Sequence, residues 1–230
     1  MNKILIADTE TTTSDASKEV IELAWVQIDN LTSLNILDTF EQRYKPLKPS
    51  GLGALVVHNI LDSELEDCPP SIEAILPKDT TYMIAHNSRF DAAAISIPDT
   101  IKQICTQALA QWLLPDLESH RQSSLLYHFQ GRTEETRNDL VNAHSALPDV
   151  MNLYKVFKYL LEELYKKEPD LKGNLSVEKL WVLCELARVP TRMSFGKHRG
   201  ELIKDVPYGY KTWLLNQPDV DEYLQVALRK

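Results

Sequence analysis

Short apolar runs mark the first half of the chain, and a helical period marks the second. Lys3–Ala7 reads as a buried strand that ends where the acids of DTE begin. Glu19–Asp29 and Leu34–Tyr44 are rich in β-branched and aromatic residues and are separated by polar Asn30–Ser33, which predicts a hairpin. Lys45–Ser71 holds several prolines and predicts loops with small helices around Leu52–His58 and Ser63–Glu66. Thr80–Ala85 is another short buried strand, with a helix over Phe90–Ser96. Ile101–Cys105 is a last strand, followed by helical Gln107–Leu114 and Ser123–Phe129. Gly131–Asn142 is polar and predicts a mobile loop. Val150, Leu153, Tyr154, Phe157, Leu160, Leu161 and Leu164 recur at helical spacing and predict a long helix. Pro148 is tolerated only in its first turn, so the helix should begin near Ser145.

Lys166–Asn174 is a polar linker, and Ser176 has the look of an N-cap for a helix to about Arg188, where Pro190 prevents continuation. The reading is therefore 1–165 as one α/β domain with a central sheet, 166–188 as linker and connecting helix, and 189–230 as a small C-terminal module with β and helical pieces.

Composition changes this picture little. The chain has 230 residues, 43% of them hydrophobic and 25% charged, enough for a packed core. No apolar run reaches membrane-spanning length and MNKILIADTE lacks a signal-peptide pattern, so a cytoplasmic protein with no membrane partner is expected. Cys68, Cys105 and Cys184 are scattered, which argues against disulfides or a zinc site and fits a reducing compartment. The net charge of −8 does not itself point to nucleic acid. It is uneven, however. Arg188, Arg192, Lys197, Arg199, Lys204 and Lys211 face only Glu201 and Asp205.

Chemistry concentrates in three places. Asp8 and Glu10 share a face of an extended strand, Asp91 closes HNSRFD after the second apolar run, and His144 and Asp149 bracket HSALPD at the start of the long helix. Four converging carboxylates repel one another unless cations sit among them, and hard divalent ions such as Mg²⁺ or Mn²⁺ suit oxygen clusters. A histidine beside them could take a proton from water. The pattern reads as a metal-dependent phosphodiester hydrolase. Walker, G-x-S-x-G and G-x-G-x-x-G signatures do not occur.

The three motifs D-x-E, H-N-x-x-F-D and H-x-A-L-x-D, in this order, resemble the DEDD superfamily of 3′→5′ exonucleases, in the subgroup whose last motif carries a histidine. IELAWV, VHNI, CTQALAQWLLP and FGKHRGELIKDVPYGYKTWLLN resemble further segments of one bacterial branch, so the similarity runs through almost the whole chain. The resemblance implies a ribonuclease H-like fold. It implies two metal ions held by Asp8, Glu10, Asp91 and Asp149, with His144 as general base and nucleoside 5′-monophosphates as products. It also implies DNA 3′ ends, single-stranded or duplex, as partners and a role in repair or recombination; no protein partner is indicated. The rivals are an exoribonuclease of the same superfamily and an inactive nucleic-acid-binding module. Asp139 is a rival fourth ligand.

Thr11 and Thr12 are candidates for the terminal sugar, His58 for wedging the terminal nucleotide, and Asn87 for orienting substrate. Lys197 and Arg199 are candidates for a strand clamp. Phe195, Tyr208, Tyr210 and Trp213 could stack bases or pack a small core. Thr13 stands where the family usually has glycine; a positive φ there would strain a β-branched residue.

Overall fold

Alternation along the first strand decides where everything else sits. In the computed structural model, which describes residues 2–141 and 145–230, β1 runs Lys3–Thr11 and so continues through the DTE motif. The expected stop at Ala7 is overridden by pairing: Asp8 still faces Ala24 and Glu10 faces Glu22 on β2 (Val20–Ile28). β3 (Ile36–Arg43) completes the hairpin, with Glu22 opposite Arg43. β4 (Thr80–Ala85) lies parallel to β1, and β5 (Lys102–Cys105) lies parallel to β4. The sheet order is β3-β2-β1-β4-β5, a mixed sheet with β1 at its centre.

Helices cover both faces, as expected of a central sheet that must bury two apolar surfaces. Ile4 and Ile6 belong to one core with Val150, Leu153 and Phe157 of the long helix. Leu5 and Ala7 belong to the other with Ala92 and Ile95. In order, the helices are α1 (Leu52–His58), α2 (Ser88–Ala94), α3 (Thr106–Leu113), α4 (Gln122–Gln130), α5 (Glu134–Val141), α6 (Ala146–Lys167), α7 (Val177–Ala187), α8 (Tyr208–Leu215) and α9 (Glu222–Leu228). Ser176 caps α7 by accepting from Lys179 N.

Gly131–Asn142, expected as a mobile loop, carries α5 over 134–141. Its sequence is too polar to show an apolar stripe, and tertiary partners replace one. Thr136 is buried, and Thr133 Oγ1 accepts from its amide. Lys155 pairs with Asp139 at 2.7 Å, while Asn152 donates to the Asp139 carbonyl. Residues 166–188 were expected as linker and connecting helix. Leu171, Leu175, Leu180, Cys184 and Ala187 from this stretch are buried in the main core, and Cys184 Sγ accepts from Cys105 N at 2.9 Å. A separate core forms around Met193, Ile203, Leu214 and Leu224. The β pieces expected in this last part amount to one bridge between Arg192 and Leu202.

Candidate metal centre

β1 presents its acids at the end of the sheet where β4 also finishes, the edge at which open sheets with parallel strands bind ligands. By strand alternation, Asp8 and Glu10 share the face of Ile4 and Ile6, the face that α6 covers. α6 brings Asp149 over that face. One carboxylate oxygen from each of Asp8, Glu10 and Asp149 lies within 4.8 Å of the others. Asp91 comes from α2, on the opposite side of the sheet. Thr9, which alternates to that side, fixes it: Asp91 Oδ1 accepts from Thr9 N at 3.1 Å and Thr9 Oγ1 at 2.8 Å. All four acids line one cavity of about 500 Å³ together with Thr9, His86, Phe90 and Gln122.

The arrangement is electrostatically costly as it stands. Burial pushes Asp8 well above the usual carboxylate range, and the charges of Asp91, Glu10 and Asp149 push it further. Burial, then Asp149 and Glu22, raise Glu10 to about 8. Burial raises Asp91 to about 7 against the opposing Thr9 hydrogen bonds. No ion pair engages Asp8, Glu10 or Asp91 among the described residues. Close carboxylates, of which Asp8, Glu10 and Asp91 have no ion-pair partner among the described residues, are a donor set that fits hard divalent cations, which prefer oxygen ligands.

The position of Asp149 depends on a residue that stands out only weakly in the sequence. Ser145, at the N-cap of α6, makes no side-chain cap bond. Instead, Glu22 Oε2 accepts from Ala146 N at 2.7 Å and Glu41 Oε1 accepts from Leu147 N at 3.3 Å. Pro148 has no N–H to satisfy, so two sheet carboxylates and one proline account for the first turn. Glu22 is 2% exposed and also accepts from Arg43 Nε at 2.9 Å. The available signal was a lone acid inside VIELAWV, an otherwise apolar strand. Gln122 adds a second tether, donating from Nε2 to the Asp149 carbonyl at 2.9 Å.

His86, the first residue of HNSRFD, also lines the cavity. Its Nε2 meets the carbonyl of His120 at 2.9 Å, so Nε2 carries the proton and Nδ1 accepts from Thr106 Oγ1 at 2.9 Å. Burial lowers its pKa to about 4, so it stands as a neutral strut.

A second cavity, of about 420 Å³, shares Thr9, Glu10 and Phe90 with the first and is otherwise lined by residues including Thr11, Thr12, Gly51 and His58. The Thr11 hydroxyl donates to Thr13 O at 2.8 Å, and Thr12 Oγ1 accepts from Glu19 N at 3.1 Å, so both shape the loop. Thr13 does not have the positive φ that would strain it. His58 is buried, with Nδ1 accepting from Ile60 N at 3.0 Å and Nε2 without a hydrogen-bond partner among the described residues. Asn87 is exposed, lies outside both cavities and has φ 66°; the left-handed turn that opens α2 accounts for it. Asp139 is paired with Lys155 and does not line the metal cavity. Lys197 and Arg199 are exposed in the C-terminal part, outside both cavities. His144, expected as general base, lies outside the described residues.

The sequence matches the RNase T exonuclease family over residues 5–157, a stretch that contains every acid of the cluster. The chain belongs to that family. Exonuclease X in complex with 5′-overhanging duplex DNA superposes at a TM-score of 0.58 and 24% identity, over 80% of this chain and 99% of that one. A zinc-bound E. coli exonuclease I complex with single-stranded DNA gives 0.57 and 18%, over 75% of this chain and 42% of that one. A further exonuclease I structure gives 0.59 and 17%, over 86% and 50%. The chain thus spans about half of exonuclease I or less. A comparison with curated proteins finds no match. At these identities the likeness speaks for the fold: an RNase T exonuclease with the ribonuclease H-like mixed sheet flanked by helices. No described helix is long and apolar enough to cross a membrane.

Proposed function

We propose that this RNase T family member is a divalent-cation-dependent 3′→5′ exonuclease that trims DNA ends and releases nucleoside 5′-monophosphates, with a place in repair or recombination. The observation that carries the reading is the Asp8–Glu10–Asp149 set, oxygens within 4.8 Å, sharing a cavity with Asp91. Two magnesium or manganese ions bound there would supply stabilisation of the attacking and leaving oxygens of an in-line displacement. Asp8, on which the charges of Glu10, Asp91 and Asp149 all bear, would be one of the residues that hold the ions. His144, one residue before Ser145 and five before Asp149, takes the proton from the attacking water.

The second cavity takes the terminal nucleotide. Its volume of about 420 Å³ lies within the ordinary span for small ligands, roughly 300–1,000 Å³. That it shares Thr9 and Glu10 with the acid cavity supports a bound nucleotide's phosphodiester lying at the carboxylates. His58 borders it, with Nδ1 accepting from Ile60 N, a buried Nε2 that has no hydrogen-bond partner among the described residues, and a pKa lowered by burial. DNA is favoured because exonuclease X and exonuclease I were captured with DNA. Digestion of end-labelled single-stranded DNA, duplex DNA and RNA side by side tests the reading. Faster loss of DNA than RNA from the 3′ end supports it, and a preference for RNA assigns the alternative substrate.

A further inference from the structure

The family match ends at residue 157, and the C-terminal segment beyond Arg188 builds a surface unlike the rest of this acidic chain. Two of its five acids dock it to the rest of the fold. Asp221 and Glu222, at the start of α9, pair with Arg89 of α2, whose guanidinium also stacks on the Tyr223 ring at 4.6 Å. Arg188 Nη2 donates to Ser88 Oγ of α2 at 2.8 Å. The segment is thus moored to the helix that carries Asp91.

Its cations are not spent. Among the described residues, Lys197, Arg199, Lys204 and Lys211 make no ion pair, whereas Glu201 is engaged by His198 at 2.9 Å. Lys197 and Arg199 sit on a turn held in one shape. Met193 N donates to Glu201 O at 2.9 Å, and Gly200 N donates to Met193 O at 2.8 Å. Gly196 has φ 72°, and a Cβ there would lie 2.6 Å from the Tyr210 hydroxyl, so the turn is pressed onto α8. His198 meets Tyr210 edge-on at 4.6 Å, and Tyr210 leads to Trp213 at 5.3 Å. Trp213 is 53% exposed and Phe195 47%. Exposed cations beside half-exposed aromatic rings suit a polymer that offers phosphates and bare base faces together. Single strands do so; duplexes hide the faces.

We propose that this surface binds single-stranded nucleic acid, Lys197 and Arg199 holding phosphates and Trp213 stacking on a base, so that the strand behind the 3′ end is retained while the end enters the metal cavity. The role in retaining substrate rests on the exonuclease reading; the binding site itself does not.

Binding is therefore measured in EDTA, on the full chain, by anisotropy of a labelled long single strand and the matching duplex over a salt series. Lys197→Ala with Arg199→Ala should weaken single-strand binding about tenfold and lower the log–log salt slope by about 1.4, two phosphates' worth. Trp213→Ala should weaken it about fivefold or more without changing the slope, and Trp213→Phe should restore most of the loss. Thermal melts should match the wild type, since all three side chains are exposed. Wild-type affinity and slope in the double variant would overturn the site. So would equal losses for strand and duplex in Trp213→Ala, or competition by polyglutamate as effective as by oligonucleotide. A wild-type protein that binds the strand here but cleaves nothing in Mg²⁺ would end the exonuclease reading and leave this site standing.

Discussion

Glu10 and Glu22 stand directly opposite each other across the β1–β2 ladder, two acids at a position where like charges destabilise a sheet. They are not equivalent. Glu22 is compensated by Arg43 Nε and the Ala146 amide, and Glu10 has no ion pair among the described residues. Glu22 helps to start α6, and Glu10 belongs to the acid cluster. Replacing Glu22 with Ala leaves the Ala146 N–H without its acceptor and Arg43 with only its exposed pair to Glu64, a loss of about 1–3 kcal/mol for an orphaned buried donor. Glu22→Gln keeps an acceptor for Ala146 and should recover part of the stability. Urea melts of both variants check the ranking, and Glu22→Ala should also need more metal for half-maximal turnover, because Asp149 loses its mooring.

The raised carboxyls make metal-free stability fall with rising pH. Glu10 goes from 4.5 in the unfolded chain to about 8, and Asp91 from 3.8 to about 7, so the native state binds extra protons between those limits. That contribution is complete below about pH 4 and gone above about pH 8. Asp8→Asn should therefore raise the metal-free melting temperature most at the alkaline end, by about 2–4 °C for each kcal/mol gained. Mg²⁺ should bind with proton release near neutral pH, read by calorimetry in buffers of different ionisation enthalpy. A melting temperature lowered by Asp8→Asn at pH 8 would contradict the repulsion.

Truncation separates two boundaries. The polar run 166–174 invites a cut near Asp170 as harmless, but Leu171, Leu180 and Cys184 lie in the main core. A chain ending at Asp170 should lose its cooperative melt. A chain ending just after Arg188 keeps that core and should melt cooperatively, which circular dichroism compares directly.

Much of this was legible in the sequence. Buried strands and the long amphipathic helix announce themselves by period, and Pro148 fixed the start of α6 next to Asp149 because proline is admissible only there. What was not legible depends on partners distant in sequence. β1 runs on through polar Asp8–Thr11 because β2 continues to pair with it. α5 lacks an apolar stripe and is held through Asp139 by Lys155 and Asn152. The capping of α6 by Glu22 spans 124 residues.

His144→Ala should lower turnover by about 10²–10⁴-fold, the usual contribution of a general base, with strand binding almost unchanged. The acid limb of the pH–rate profile should disappear with it. Retention of both turnover and that limb would assign proton removal elsewhere.

The acid cluster at the end of β1 should carry out metal-dependent cleavage from the 3′ end. The direct measurement follows a 5′-labelled single-stranded DNA with Mg²⁺, with EDTA, and with an Asp8→Ala protein shown by its melt to be folded. The prediction is stepwise shortening with nucleoside 5′-monophosphates released by the wild type alone, and none in EDTA or with Asp8→Ala. Undiminished cleavage by Asp8→Ala, or hydrolysis that persists in EDTA, would contradict it.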